Sequence, residues 1–284
     1  MSIAATVILF HPSSSVPGNI QSYSPFVDKV YIIDNSEETA ETRVPGISRI
    51  PRCVYLHDGE NKGIAARLNQ ACALAKADGY THLLTMDQDS AFKTGDIKTY
   101  LTCIDAFPGK DRVAMFGVEF MEEHQLPGAC QPQETEHLIT SGSILNLAAD
   151  AGGFDEHLFI DMVDTEYCYK SIIAGYKIIQ FKNILLEHRL GTTVYKKSVK
   201  NLRYTPRNLH APVRIYYIVR NYLYLKSKYG QRFGEDIARN RQSVLNRIKN
   251  NLLYNRQRLS VLKYIIRGIT DFNRNRMGKI NSLP

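Results

Sequence analysis

The chain has 284 residues, 44% of them hydrophobic and 23% charged, which suits one large globular domain or a catalytic domain with a tail. No run approaches the ~18 apolar residues a membrane-spanning helix needs, and MSIAATVILFHP lacks the basic leading segment of a signal peptide. The net charge of +8 is unevenly placed: residues 1–194 hold 15 Lys/Arg against 25 Asp/Glu, residues 195–284 hold 21 against 3, which predicts an acidic body joined to a basic segment that meets something anionic.

Along the first 110 residues, short apolar runs alternate with helical ones. ATVILF (5–10) and KVYIID (29–34) read as buried strands, with a helix or turn in GNIQSYSPFVD between them. In IAARLNQACALAKA (64–77), Ile64, Leu68, Ala71, Cys72 and Ala75 fall at helical spacing and Gly79 marks the stop. THLLTMDQD (81–89) is a strand that runs directly into acid. This alternation predicts a largely parallel sheet covered by helices. Ligands of such sheets sit beyond the carboxyl ends of the strands. That rule puts Phe10, His11 and Pro12, then Asp34, Asn35 and Ser36, then Asp87, Gln88 and Asp89 on one rim, with Met86 before the last group as a further donor-side candidate. RVAMFGVEF (112–120) and HLITSGSILNL (137–147) read as two further strands. From about residue 212 the pattern turns helical, with Val213, Tyr216, Tyr217, Val219 and Tyr222 on an apolar face among Arg and Lys. Cys53, Cys72, Cys103, Cys130 and Cys168 are scattered and never spaced CxxC. Neither a disulfide framework nor a zinc site is expected, and a reducing cytoplasm is the plain reading.

Asp87-Gln88-Asp89 at a strand end can share a hard divalent cation, because Mg²⁺ and Mn²⁺ take oxygen ligands and bridge carboxylates to diphosphate. Asp34-Asn35 can accept hydrogen bonds from a base or ribose, or can simply form a turn. Asn61-Lys62-Gly63 precedes the helix bearing Arg67; its free amides and the two cations suit diphosphate, and an N-cap with surface charges is the plainer alternative. The densest acid lies in 152–166. Asp161 and Asp164 there serve as a general base for a hydroxyl or as a helix cap. His188, after another apolar strand, is a metal ligand or a structural histidine.

These pieces come in a familiar order: VYIIDNS (30–36), NKGIAARLNQA (61–71), LLTMDQDS (83–90), TSGSILN (140–146), GGFDEHLFIDMVDTEYCYK (152–170), LEHRLG (186–191) and RIYYIVRN (214–221). The chain resembles the family 2 glycosyltransferases, and within them the bacterial rhamnosyltransferase branch. The resemblance implies a GT-A fold over 1–210; in the basic helical region 211–284, Tyr and Leu interleaved with Arg and Lys point to membrane or acceptor association, or to an ordinary helical cap with solvated charges. The resemblance also implies a metal-dependent inverting transfer from a sugar nucleotide such as dTDP-L-rhamnose, with UDP-hexose donors as the alternative. By motif, Asp34 would contact the base, Asp87 and Asp89 the ribose and metal–diphosphate, and His188 the metal or diphosphate. Asp164 takes the position of the catalytic base, and Ser141, Gly142, Asp161, Glu166 and Arg220 fall on the acceptor side. Two departures stand out. The family's Glu-Asp pair is Val163-Asp164 here, and the first strand ends Phe10-His11-Pro12 where Thr-Tyr-Asn is frequent.

The expected setting is peripheral, on the cytoplasmic face of the cell membrane. There the basic tail would meet anionic lipid and the acceptor would be a polyprenyl-diphosphate-linked saccharide for surface polysaccharide such as O-antigen. A metal-dependent nucleotidyltransferase is a lesser alternative. No nucleic-acid partner is expected, since the chain carries no zinc-finger spacing or RNA-recognition signature.

Overall fold

The computed structural model describes residues 1–93, 95–120, 130–149, 151–188, 193–197 and 203–280. By its contacts the chain forms two compact units: Met1–Glu156 with Val163–Arg189, and His157–Met162 with Leu190–Pro284.

The first unit is α/β. β1 (Ile3–Leu9), β2 (Lys29–Asp34), β3 (Cys53–His57) and β4 (His82–Asp87) lie side by side in the order β3-β2-β1-β4, all parallel. Every residue of β1 is buried, as expected of a strand covered on both faces. Crossovers between parallel strands carry α1 (Val16–Gln21) and α2 (Ile64–Ala77). On α2 the buried stripe is Ala65, Leu68, Ala71 and Ala75; Ile64 and Cys72 are only half-buried. Small alanines at this spacing let the helix lie close on the sheet.

Beyond β4 the sheet becomes mixed. β5 (Ser90–Phe92) follows a two-residue turn, α3 (Asp96–Asp105) leads to β6 (Val113–Glu119), and β7 (Pro132–Glu134) and β8 (Ser143–Asn146) follow. After α4 (Val163–Ile173) comes β9 (Lys177–His188). The order continues β4-β8-β6-β9-β5, with β7 also on β9; β8 is antiparallel to both neighbours and β6–β9 is parallel. The expected strand over 137–147 is therefore shorter, because 137–142 is loop. Val7, Leu9, Ile32, Leu84, Met86, Phe116, Ile144 and Phe181 belong to one continuous core.

One expectation is overturned here. Cys103 at the end of α3 and Cys130 ahead of β7 form a disulfide, with 5.3 Å between their Cα atoms. Cys53, Cys72 and Cys168 are free. Pairing depends on how close two Cβ atoms are brought, and a separation of 27 residues carries no sign of that. The cysteine argument for a reducing compartment falls with it.

The second unit is helical, apart from the hairpin of β10 (Thr193–Lys197) and β11 (Tyr204–Asn208). α5 (Pro212–Tyr229), α6 (Gly234–Tyr254) and α7 (Arg258–Asn273) pack on one another. Gly268 of α7 lies against α5 so closely that a Cβ there would meet the Tyr216 carbonyl oxygen at 2.9 Å. Among the described residues no helix is long and apolar enough to cross a membrane.

Candidate active site

Strand register sets the rim. Ile8 pairs with Asp87, Leu9 with Asp34, and Asp34 with His57, so the carboxyl ends of four parallel strands finish level. Asp87 is exposed at the end of β4 and Asp89 half-buried on the turn after it. β5 then returns antiparallel to β9 with Ser90 opposite His188, which brings the His188 backbone beside the Asp-Gln-Asp turn; the His188 side chain lies outside the described residues. Two hard oxygen donors one residue apart fit Mg²⁺ or Mn²⁺. Among the described residues no three His, Cys, Asp or Glu side chains converge into a fuller ligand set.

Gln88, passed over between the two acids, ties this turn to the first strand. Its Oε1 accepts from the Phe10 amide at 2.9 Å and its Nε2 donates to the Phe10 carbonyl at 3.1 Å. Asn19 donates to the Gln88 carbonyl at 2.8 Å. A two-way amide clip of this kind leaves Asp87 and Asp89 on a fixed turn while Gln88 itself looks inward. Phe10 and His11 present exposed rings beside it with centroids 4.2 Å apart, and Pro12 is buried. His11 adopts a left-handed φ of 47° and donates its amide to Ser36 Oγ at 2.9 Å.

Asp34 is not presented as expected. Its carboxylate is fully buried, with Oδ1 accepting from the Ser36 amide at 3.0 Å and Oδ2 from the Ala40 amide and the Tyr55 hydroxyl, both at 2.6 Å. Burial and the Asp34 hydrogen bond push the Tyr55 hydroxyl up to about 12, so it stays a donor at any physiological pH. Three of the roughly four acceptor positions of the carboxylate are thus taken within the protein.

Arg67 likewise faces inward. It is 2% exposed, and it donates to Asn35 Oδ1 at 2.9 Å, to both Asp58 oxygens and to the Glu60 carbonyl. Lys62 reaches the same Asp58 at 2.8 Å. The two cations expected to face diphosphate are thus both paired with Asp58, and Lys62 also lies 3.4 Å from Glu60; neither acid is among the expected site residues. The Arg67 guanidinium holds the Asp58 carboxyl well below the usual range. Asn35 is the hub: Oδ1 also accepts the Lys62 amide at 2.8 Å, while Nδ2 donates to Asn61 Oδ1 at 3.0 Å, which accepts the Gly63 amide at 3.1 Å. Gly63, at a left-handed φ of 84°, turns the chain into the amino end of α2.

On the other flank, Ser141 accepts the Asp87 amide at 3.1 Å and donates to Ser90 at 2.8 Å, and the Gly142 amide donates to the Thr85 carbonyl at 2.8 Å. Ser141 is buried, so these residues brace the acidic turn. Asn69 of α2 holds the start of the acidic stretch, accepting the Phe154 amide at 2.7 Å and donating to the Phe154 carbonyl at 3.0 Å and to Glu156 at 2.8 Å. A Cβ on Gly153, whose φ is +69°, would meet Asn69 Oδ1 at 2.9 Å, which is why glycine stands there. Asp164 lies half-buried in the first turn of α4, its Oδ1 accepting the Thr165 amide at 2.8 Å, where the helix dipole favours a carboxylate. Glu166 is fully buried, 3.2 Å from Lys170.

In the second unit, Asp161 pairs with Arg214 at 3.1 Å. Arg220, expected at the acceptor, is fully buried and bonded to Tyr216, to the His157 and Gly278 carbonyls and to Asn221. Phe159, Asp161 and Met162 all have left-handed φ, at 54°, 63° and 65°, each costing on the order of 1 kcal/mol.

No family model matches the chain. In sequence it is 26% identical over 216 residues to the dTDP-rhamnosyl transferase RfbF of Shigella flexneri, covering 70% of this chain and 71% of that one. In fold it is similar to residues 1–349 of S. aureus TarS solved with UDP-GlcNAc, with a TM-score of 0.56 at 13% identity over 96% of this chain and 80% of that one. It is also similar to GalNAc-T7 solved with UDP, GalNAc and Mn²⁺, with a TM-score of 0.52 at 10% identity. That match covers 66% of this chain but only 44% of the larger one. With the parallel rim, its acidic turn and these likenesses together, the chain is a glycosyltransferase of the GT-A fold, similar to the rhamnosyl-transferring members of family 2.

Proposed function

We propose that the protein is an inverting transferase that moves L-rhamnose from dTDP-L-rhamnose onto a hydroxyl of a lipid-linked saccharide in bacterial surface polysaccharide synthesis. The observation that carries this reading is the register that levels Asp87 with the ends of β1 and β2 and sets Ser90 opposite His188. The donor nucleotide would lie along this rim, over Phe10 and His11 and the amino end of α2, with Asp34, Asn35 and Arg67 shaping the floor from below. Asp87 and Asp89, with His188, would hold a divalent cation, whose charge offsets that of the departing diphosphate when it is bound.

In the transfer, the acceptor oxygen attacks the anomeric carbon from the face opposite the diphosphate. The carbon–oxygen bond to dTDP breaks with its electron pair going to the leaving group, and Asp164 takes the hydroxyl proton. A single displacement needs no enzyme nucleophile, and configuration inverts.

Membrane association is part of the same proposal. Leu259, Leu262, Ile266 and Ile269 of α7, spaced to share one helix face, are 78%, 46%, 57% and 42% exposed, and Arg256, Arg258 and Lys263 stand among them. An apolar stripe with a basic flank suits an anionic bilayer surface. The cytoplasmic placement rests on the nucleotide donor, not on the cysteines.

The test supplies radiolabelled dTDP-L-rhamnose, UDP-glucose or UDP-galactose with Mn²⁺ and a membrane extract holding lipid-linked saccharides. Label passing to the solvent-extractable lipid from dTDP-L-rhamnose alone is expected. Transfer only from a UDP-hexose would end the rhamnose assignment, and no transfer from any donor would end the acceptor assignment.

A further inference from the structure

A groove between the β10–β11 hairpin and the α6–α7 turn lies wholly within the second unit. It spans about 980 Å³, the size of a small-molecule site, and Lys196, Lys197, Arg256 and Arg258 line it together with Leu253 and Leu259. Side chains fix the hairpin to α6. Arg207 of β11 donates to Asn250 Oδ1 at 2.7 Å and lays its guanidinium over the Tyr254 ring at 4.4 Å. The His210 amide donates to Asn251 Oδ1 at 3.0 Å, and Asn255 Nδ2 donates to the His210 carbonyl at 2.9 Å. The two lysines therefore come from an anchored hairpin and the two arginines from the turn it is anchored to.

Four cations lining one groove repel one another unless an anion offsets them. No side-chain acid of this unit does so. Its acids are Asp161, Glu235, Asp236 and Asp271. Asp161 pairs with Arg214, Asp236 with Arg239 and Asp271 with Arg267. Glu235 stands at the start of α6, about 30 Å from the end that lines the groove. α7 begins in the same wall with no side-chain cap and no acid in its first turn, so its free amides add positive potential. Beside Lys196, whose register partner is Thr205, Thr205 Oγ1 and Arg207 Nε are buried with no partner among the described residues. Leu253 and Leu259 are exposed, and Leu259 starts the apolar stripe that runs on along α7. A ligand that matches the whole groove carries several negative charges at one end and hydrocarbon at the other. A phosphodiester brings a single charge, whereas a diphosphate ester brings more charge and more acceptor oxygens.

We propose that this groove binds the headgroup of a lipid diphosphate. Lys196, Lys197, Arg256 and Arg258 hold the phosphates, and Leu253 and Leu259 cover the first carbons of the chain. The inference deepens the membrane-association reading, on which the lipid chain rests, and turns a diffuse attraction to anionic lipid into one saturable site.

The test titrates the full chain by calorimetry with geranyl diphosphate, inorganic diphosphate and geraniol, in EDTA so that metal-dependent binding elsewhere stays silent. One geranyl diphosphate per chain is expected, with inorganic diphosphate weaker and geraniol without measurable binding. Lys196→Gln with Arg256→Gln should weaken both diphosphates about tenfold or more, the scale of one lost charge-assisted hydrogen bond. Lys226→Gln with Arg241→Gln removes the same charge from exposed cations of α5 and α6 and should stay within about twofold of wild type. Leu259→Ser should weaken geranyl diphosphate severalfold and leave inorganic diphosphate as in wild type. Melting temperatures are recorded for each variant, and Lys197→Gln with Arg258→Gln is read the same way should the first pair not fold. Equal losses in the groove pair and the control pair would overturn the proposal, because net charge alone would then matter. Geranyl diphosphate that does not bind, or that binds at many weak sites, would overturn it too. Flotation with phosphatidylglycerol vesicles separates the two readings. Vesicle binding without geranyl diphosphate binding keeps the membrane and removes the site; the reverse keeps the site and removes the membrane.

Discussion

The two units handle charge in opposite ways. In the acidic first unit the buried ions are satisfied from within. Asp34 binds its own loop and Tyr55, and Arg67 binds Asp58 and Asn35, while Asp87 stands exposed at the end of β4. Among the described residues of the basic second unit only Arg220, Asp236 and Asp271 are buried charges, and most cations stand on helix surfaces beside exposed leucines and isoleucines of α6 and α7. The first unit turns these charges inward; the second displays most of its own. A net charge that sums both hides the two uses.

The largest contrast should appear when the same chemistry is altered in each unit. Asp164→Asn is expected to lower kcat by about 10²–10⁴-fold, the range of a lost general base, with dTDP affinity unchanged; a variant within threefold of wild type would remove Asp164 from the mechanism. Leu84→Ala in the buried strand β4 should cost about 2–5 kcal/mol of unfolding free energy, whereas Leu259→Ala on α7 should stay within about 0.5 kcal/mol. Urea titrations of both would abolish the distinction if the two losses matched. Changing Leu259, Leu262 and Ile266 together to Ser should then leave melting nearly unmoved while vesicles containing anionic lipid retain less protein than they do of wild type. Equal partitioning would make the stripe a solvated helix face.

The smallest effect concerns pH. Because Asp58 is depressed by Arg67, its stabilising contribution is complete above the unfolded value near 4 and is lost only as pH falls through the lower folded value. Arg67→Ala should bring that titration back toward pH 4, so the stability advantage of wild type over the variant is level above about pH 5 and shrinks as pH falls below about 4. Identical pH–stability slopes in wild type and variant would show that the pair does not act.

Much of the rim was legible in the residues alone. Continuous apolar runs such as KVYIID and HLLTMD can be little other than buried strands, and an acid at the end of each marks the carboxyl edge. β3 was missed because CVYLH is short and half-buried, and β5 and β7 because three residues carry no period. The partners of known motif residues were the other blind spot. Asp58, Tyr55 and Gln88 serve Arg67, Asp34 and Phe10 across loops, and nothing in their spacing announces it. Arg220-Asn221 was legible as a motif but not as a clamp, since its ligands are backbone carbonyls some 60 residues away.

The central claim is that the β4 turn binds a metal-dependent nucleotide. Calorimetric titration of dTDP, UDP and GDP, each with and without Mn²⁺, into wild type and Asp89→Ala tests it most directly. dTDP is expected to bind only with Mn²⁺ and not to bind Asp89→Ala; no nucleotide binding at all, or binding that survives both the missing metal and the substitution, would contradict a metal site on this turn.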